Sequence, residues 1–360
     1  MTPRFLIAAA HKSSGKTVIS TGLSRAFRQR GMFVQTFKKG PDYIDPMWLG
    51  LASGRPCYNL DFNTMNEDEI RQLLVSRADG ADISVIESNK GLYDGVDLHG
   101  ADSNAAMAKL VKAPVVLVVD TTGTTRGIAA LLMGYQVFDK DVNIAGVILN
   151  KTGGSRHEGK LRAAIEEYTD LPVLGAVGRS HDLEIGERHL GLTTPSETGM
   201  IETLIDTLGQ RMTDSVDLDA LIAIASLAPD LTYSKPAPVA KYATGIRIGV
   251  ARDTAFGFYY PDDFEVFEAA GAEIVFFNTI TDTQLPNMDA LFIGGGFPET
   301  SLTQLEANTG MRRDIKDAIN GGLPAYAECG GLMYLCETLE WNGTKGKMVG
   351  VILGDAIMCE

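Results

Sequence analysis

Phe5-Leu6-Ile7-Ala8-Ala9-Ala10-His11-Lys12-Ser13-Ser14-Gly15-Lys16-Thr17 stands near the start of the chain. The run Phe5–Ala10 is apolar throughout, which suits a strand buried on both faces. The residues after it are small or cationic and end in Gly-Lys-Thr. Such a loop turns its backbone N–H groups around phosphates, with Lys16 meeting the terminal phosphates and Thr17 offering a hydroxyl to Mg²⁺. Lys12, Ser13, Ser14, Gly15, Lys16 and Thr17 are therefore the candidate ATP contacts. Ala10 stands where these loops usually open with glycine, and Lys12, four residues before Lys16, gives a two-lysine variant. A serine- and glycine-rich turn between strand and helix is the plainer reading; the strand before it and the acids downstream favour nucleotide binding.

Outward from this loop, apolar runs alternate with helical patterns. Strands are expected at Phe5–Ala10, Val34–Lys38, Ile83–Ile86, Val115–Val119, Ile144–Leu149 and Val173–Val177. The intervals between them are long enough for crossover helices, so the strands should form a doubly wound, mostly parallel α/β sheet, over residues 1–228. Residues 229–245, with Pro229, Pro236 and Pro238, read as a linker. A smaller α/β domain, 246–360, should follow, with strands at Ile246–Ala251, Glu273–Phe277, Ala290–Ile293 and Pro324–Ala327.

The 360 residues give ample length for two cores. Hydrophobic residues make up 45% and charged residues 22%, an ordinary globular balance. The net charge of −14 argues against a nucleic-acid surface. No apolar run reaches the length of a membrane span, and no signal-peptide layout opens the chain. Four cysteines without regular spacing fit a reducing compartment, and a cytoplasmic location is the expectation.

Four further stretches carry chemistry. Lys38-Lys39-Gly40-Pro41-Asp42-Tyr43-Ile44-Asp45-Pro46 follows the second strand and should lie at the ligand-binding edge of the sheet. Asp42 and Asp45, beside two lysines, would hold Mg²⁺ and position an anionic substrate; a solvated Pro/Asp turn competes evenly. Glu87, at the end of the third expected strand, is placed to meet the metal of the phosphate loop. Asp94 sits on the following Gly-flanked loop and would close over the site, with a polar surface loop as the alternative. Asn150 would read the adenine edge or cap a turn. In the second domain, Gly294-Gly295-Gly296 and Gly330 offer backbone N–H groups to an oxyanion, and Cys329 sits on a turn before a helix, where a thiolate is favoured. A buried, inert thiol is the weaker alternative.

Taken in order, His11–Thr17, Lys38–Pro46, Glu87–Gly95, Gly146–Asn150, Ala251–Tyr260, Gly294–Glu299 and Ala327–Leu335 resemble the cobyrinic acid a,c-diamide synthase family from end to end. The resemblance implies an ATP-dependent synthetase domain, similar to dethiobiotin synthetase, joined to a class I-type glutaminase domain. It implies amidation of peripheral acetate carboxylates on a tetrapyrrole acid, with glutamine as nitrogen source. The wording around His11–Ser14 and Glu87–Lys90 is closer to a sirohaem-amidating branch. Family members place a catalytic histidine well beyond the cysteine. Here the histidines are 11, 99, 157, 181 and 189, so the glutaminase domain is expected to be incomplete at Glu360. The rival readings are a ParA/MinD-like ATPase switch and a non-catalytic tetrapyrrole-binding protein. A homodimer is an open expectation.

Overall fold

The structure is a computed structural model that describes residues 3–180, 185–188, 191–195, 200–234, 239–242 and 245–358. It divides into two compact units, Met1–Pro236 and Ala237–Glu360. Residues 235–238 and 243–244 of the expected linker lie outside the described residues.

The first unit alternates strand and helix: β1 (Arg4–Ala9), α1 (Lys16–Gln29), β2 (Val34–Lys39), α2 (Ile44–Ser53), β3 (Tyr58–Leu60), α3 (Glu67–Arg77), β4 (Ile83–Glu87), α4 (Asn104–Leu110), β5 (Val115–Asp120), α5 (Gly127–Phe138), β6 (Ile144–Thr152), α6 (Ser155–Tyr168) and β7 (Val173–Gly178). A two-residue-stranded ribbon, β8 (Glu187–Arg188) and β9 (Gly191–Leu192), precedes α7 (Ile201–Ser215) and α8 (Leu218–Ser226). The seven long-range strands lie in the order β3-β2-β4-β1-β5-β6-β7, every pair parallel.

The period-2 geometry of a strand explains the unbroken apolar runs. Leu6 and Ala8 face one core with Leu117, Val119 and Ile86, while Phe5 and Ile7 face the other with Val116, Val118 and Val85. Both faces are covered by helices, so neither set of side chains can be polar. Helix starts follow local chemistry: Asn66 and Glu69 form a reciprocal capping box on α3, and Asp217 accepts from Ala220 N at 2.9 Å to start α8.

The second unit contains β10 (Arg247–Ala251), α9 (Pro261–Ala269), β11 (Glu273–Phe277), β12 (Ala290–Ile293), α10 (Leu302–Ala307), α11 (Thr309–Asn320), β13 (Ala325–Ala327) and α12 (Gly330–Leu335). Its parallel sheet runs β11-β10-β12-β13. A second sheet, absent from the sequence expectations, is built from β14 (Cys336–Trp341), β15 (Thr344–Lys347) and β16 (Ile352–Ile357). Asn342-Gly343 makes the β14–β15 turn, with both residues at positive φ, 50° and 72°. Among the described residues no helix is long and apolar enough to cross a membrane.

Candidate active sites

Parallel strands bring their carboxyl ends to one edge, and that edge of the first unit gathers the charged motifs. β1 stops at Ala9 and α1 begins at Lys16, so residues 10–15 form the intervening loop. Ser13 and Gly15 take positive φ, 63° and 86°. Ser14 Oγ donates to His11 O at 2.8 Å, and Ile19 N donates to Gly15 O at 3.1 Å as the helix opens. Lys12 and Ser13 are exposed, whereas Ser14 and Lys16 are buried. Burial, reinforced by nearby Lys38, lowers the Lys16 ammonium to about 8; the fields of Glu87, Asp45 and Asp94 oppose that shift.

Asn150 lies within β6, which runs three residues past the expected strand end. Its Nδ2 donates to Ser14 O at 2.8 Å, and its Oδ1 accepts from Lys151 N at 2.9 Å. The side chain thus pins the phosphate loop in this structure. Lys151, itself at φ 57°, adds a bond from Nζ to Ser13 O at 3.1 Å and pairs with Asp120 at 2.8 Å. A Cβ on Gly15 would stand 2.3 Å from Asn150 Nδ2. Gly15→Ala therefore combines positive-φ strain with loss of the Asn150 brace. We expect it to destabilise the first unit by about 2 kcal/mol and to weaken nucleotide binding more than tenfold. Denaturant unfolding and calorimetric titration with an ATP analogue check this; wild-type affinity would contradict it.

Glu87 ends β4 between β1 and β2, in register with Ile7 and Lys38. It is fully buried. Thr17 Oγ1 donates to its Oε1 at 3.1 Å, and Lys38 Nζ donates to the same oxygen at 2.6 Å. Lys38 also bonds Asp45 Oδ2 and lies 3.6 Å from Asp42 Oδ2. Asp42 Oδ1 in turn accepts from Ile44 N at 3.0 Å and Asp45 N at 3.1 Å, which sets the start of α2. Burial pushes the Glu87 carboxyl up to about 7 despite Lys38, and raises Asp42. Burial would raise Asp45 as well, but Lys38 outweighs it and holds that carboxyl below its ordinary range. Asp94 accepts from Gly91 N at 3.1 Å, and Leu92 N donates to Ala9 O at 2.8 Å, tying the Asp94 loop to the end of β1.

The structure thus joins Lys16, Thr17, Asp42, Asp45, Glu87 and Asp94 at one edge. Lys38, read from sequence only as one of two lysines beside acids, is the cation at the centre of the cluster. Its place follows from the register of β2 against β4, which sets Lys38 beside Glu87 and which no single run of sequence shows. The residues fit Mg²⁺: Glu87 Oε2 is buried with no hydrogen-bond partner, and the Thr17 hydroxyl adjoins the same carboxylate. Both are hard oxygen donors of the kind this ion takes.

In the second unit, Cys329 sits between β13 and α12 at φ 48°, ψ −116°. A non-glycine residue at positive φ on a strand-to-helix turn is strained, and the turn presents its side chain outward. Cys329 is exposed. The glycines around it are required by close approach. A Cβ on Gly331 would stand 2.3 Å from Ile293 O, and one on Gly330 would stand 3.1 Å from Gly296 N. A Cβ on Gly295 would meet Cys329 Cβ at 3.4 Å. Gly331 N donates to Gly294 O at 3.1 Å, locking the turn to the end of β12. Gly295, Gly296 and Gly330 are therefore gathered beside the thiol.

Cys57, by contrast, is buried, and burial pushes its thiol far above the ordinary range. Cys336 is partly buried, with its thiol also raised by burial. Iodoacetamide should label Cys329 first in the folded protein and leave Cys57 unmodified until unfolding. Peptide mass spectrometry over a time course reads the order; equal labelling of Cys57 would contradict it. Cys359 lies outside the described residues.

Residues 5–192 match the model of the CobQ/CobB/MinD/ParA nucleotide binding domain, and residues 247–360 match that of the CobB/CobQ-like glutamine amidotransferase domain. The chain is 44% identical to the cobyrinate a,c-diamide synthase of Magnetococcus marinus, over 97% of this chain and 76% of that protein. It is 43% identical to the enzyme of the same name from Dehalococcoides mccartyi, over 99% and 78%. For that of Listeria innocua the identity is 40%, over 98% and 78%. A nucleotide-binding domain and a glutamine amidotransferase domain in one chain define an ATP-dependent carbon–nitrogen ligase with glutamine as amido donor. The chain belongs to the cobyrinate a,c-diamide synthase family. An ATPase switch of the MinD type would leave the second domain without a purpose.

Proposed function

We propose that the chain amidates peripheral acetate carboxylates of a tetrapyrrole acid through an acyl phosphate. The observation that carries this reading is the cluster of buried Lys16, Lys38 and Glu87 with the partly buried Asp45 beside the phosphate loop. A carboxylate is a poor acyl donor, and activating it needs cations that gather its oxygen and the γ-phosphate in one dry place. Lys16 lies against the terminal phosphates and offsets charge on the transferring phosphoryl group. Lys12, Ser13, Ser14 and Gly15 wrap the phosphate chain, and Asn150 holds their loop in shape. Thr17 and Glu87, with Asp42 at hand, would hold Mg²⁺, which when bound would neutralise charge on the β- and γ-phosphates. Asp45 and Asp94 orient the substrate around Lys38 and Lys16.

A substrate carboxylate oxygen attacks the γ-phosphorus, its bond to the β,γ-bridging oxygen breaks, and ADP leaves. Ammonia then attacks the acyl carbon, loses a proton and expels phosphate, leaving the amide. In the second unit, Cys329 Sγ attacks the side-chain amide carbon of glutamine, the thiol proton passes to the amide nitrogen, which leaves as ammonia, and water hydrolyses the thioester to glutamate and free thiol. The N–H groups of Gly295, Gly296 and Gly330 steady the oxyanion.

The names of the relatives support a cobyrinate-type acid over the sirohaem-type alternative. A panel of tetrapyrrole acids, incubated with ATP, Mg²⁺ and ammonium and analysed by mass spectrometry, tests the reading. We expect the mass change of NH₂ replacing OH at each amidated carboxylate, with cobyrinate-type acids preferred. Unchanged acids across the panel would reject it, and conversion confined to sirohaem-type acids would reverse the substrate assignment.

A further inference from the structure

Lys38 stands at the centre of the acid cluster beside the phosphate loop. Its side chain is only 2% exposed. Its ammonium donates to Glu87 Oε1 at 2.6 Å and to Asp45, reaches Ser88 O at 3.4 Å, and stands 3.6 Å from Asp42. The three carboxylates thus converge on an ammonium. Among the described residues, no set of three or more His, Cys, Asp or Glu side chains is gathered for a metal ion. Yet one carboxylate oxygen, Glu87 Oε2, is buried and has no hydrogen-bond partner.

We propose that Lys38 is a resident counter-ion that keeps a divalent cation out of the acid cluster until nucleotide arrives, and then yields Glu87 to it. The proposal rests on the ATP-dependent reading above. Asp42, Asp45, Glu87 and Asp94 bring four negative charges when ionised, and Lys38 with Lys16 supplies two positive ones. The two ammonium groups thus offset half of that charge before nucleotide arrives. A divalent ion on Glu87 Oε2 would sit beside the ammonium already on Oε1, and their repulsion in a buried site disfavours both together. The phosphates of ATP offset that repulsion by adding negative charge at the same edge. Lys38 can release Glu87 and remain paired to Asp45 and Asp42, because its flexible stem allows the ammonium to swing. Lys38 is in this sense a positioning residue that sets the order of loading.

Mn²⁺ binding followed by electron paramagnetic resonance tests this without any turnover. The wild-type chain should bind Mn²⁺ weakly alone and tightly with the non-hydrolysable analogue AMPPNP. Lys38→Met should gain nucleotide-free Mn²⁺ affinity of about tenfold or more, because one repelling unit charge is gone from beside the ligands. Tight nucleotide-free binding by the wild type, or no gain in the variant, would overturn the proposal. Should the variant fail to fold, a crystal structure of the wild type with Mn²⁺ and AMPPNP decides. Metal on Glu87 with Lys38 withdrawn supports the proposal, and Lys38 still bonded to Glu87 rejects it. No tetrapyrrole enters either measurement, so failure of the amidation reading would be seen separately, as absence of tetrapyrrole-dependent ADP release.

Discussion

Glu87→Gln is expected to lower ATP-dependent turnover by on the order of 10³-fold, about 4 kcal/mol of transition-state stabilisation. Glu87 is fully buried, accepts from Thr17 and Lys38 through one oxygen, and leaves the other open. The amide keeps the shape and the accepting oxygen, so the loop and β4 should stay in place. It loses the charge that would hold Mg²⁺ and that balances Lys38. Nucleotide should still bind, since the loop N–H groups and Lys16 are untouched. Steady-state kinetics with ammonium as nitrogen source, beside calorimetric nucleotide titration, separate the two effects. A variant retaining more than about a tenth of wild-type turnover would remove Glu87 from the metal site.

Cys329→Ala is expected to divide the two nitrogen sources. In a chain that carries the family's catalytic histidine, glutamine-supported turnover should fall by at least about 10³-fold, and ammonium-supported turnover should hold at the wild-type level. The division follows from the placement of the thiol in the second unit, outside the Lys16–Glu87 cluster of the first. Alanine is no worse than cysteine at φ 48°, and the lost sulfur is exposed, so stability should barely change. Equal loss with both nitrogen sources would mean that Cys329 supports the fold or the synthetase reaction instead.

Much of the first unit was legible because its strands are buried on both faces. Phe5–Ala9 and Val115–Val119 serve two cores at once, and only apolar residues can do so. The edge strand Tyr58–Leu60 was missed because three residues with a central asparagine show no such run; Asn59 is spent on Gly40 O and Asp42 O. The sheet from Cys336 to Ile357 was missed for a related reason. Its strands β15 and β16 carry mostly exposed, mixed side chains, so apolar alternation is weak. At the site, Lys16, Thr17 and Glu87 could be named because a phosphate loop and a strand-end acid have fixed spacings. The central place of Lys38 could not, because it depends on the register of β2 against β4. Asn150 was read toward the adenine from its position at a strand end. In the structure its amide donates to Ser14 O, a contact that joins residues 136 positions apart and that no run of sequence shows.

Transfer of heavy oxygen from substrate to phosphate tests the central claim most directly. A tetrapyrrole acid labelled in its acetate carboxylates is incubated with ATP, Mg²⁺ and ammonium, and the phosphate released is analysed by mass spectrometry. Attack of the carboxylate on the γ-phosphate predicts one labelled oxygen in the phosphate for each amide formed. Amide formation with unlabelled phosphate would contradict the account.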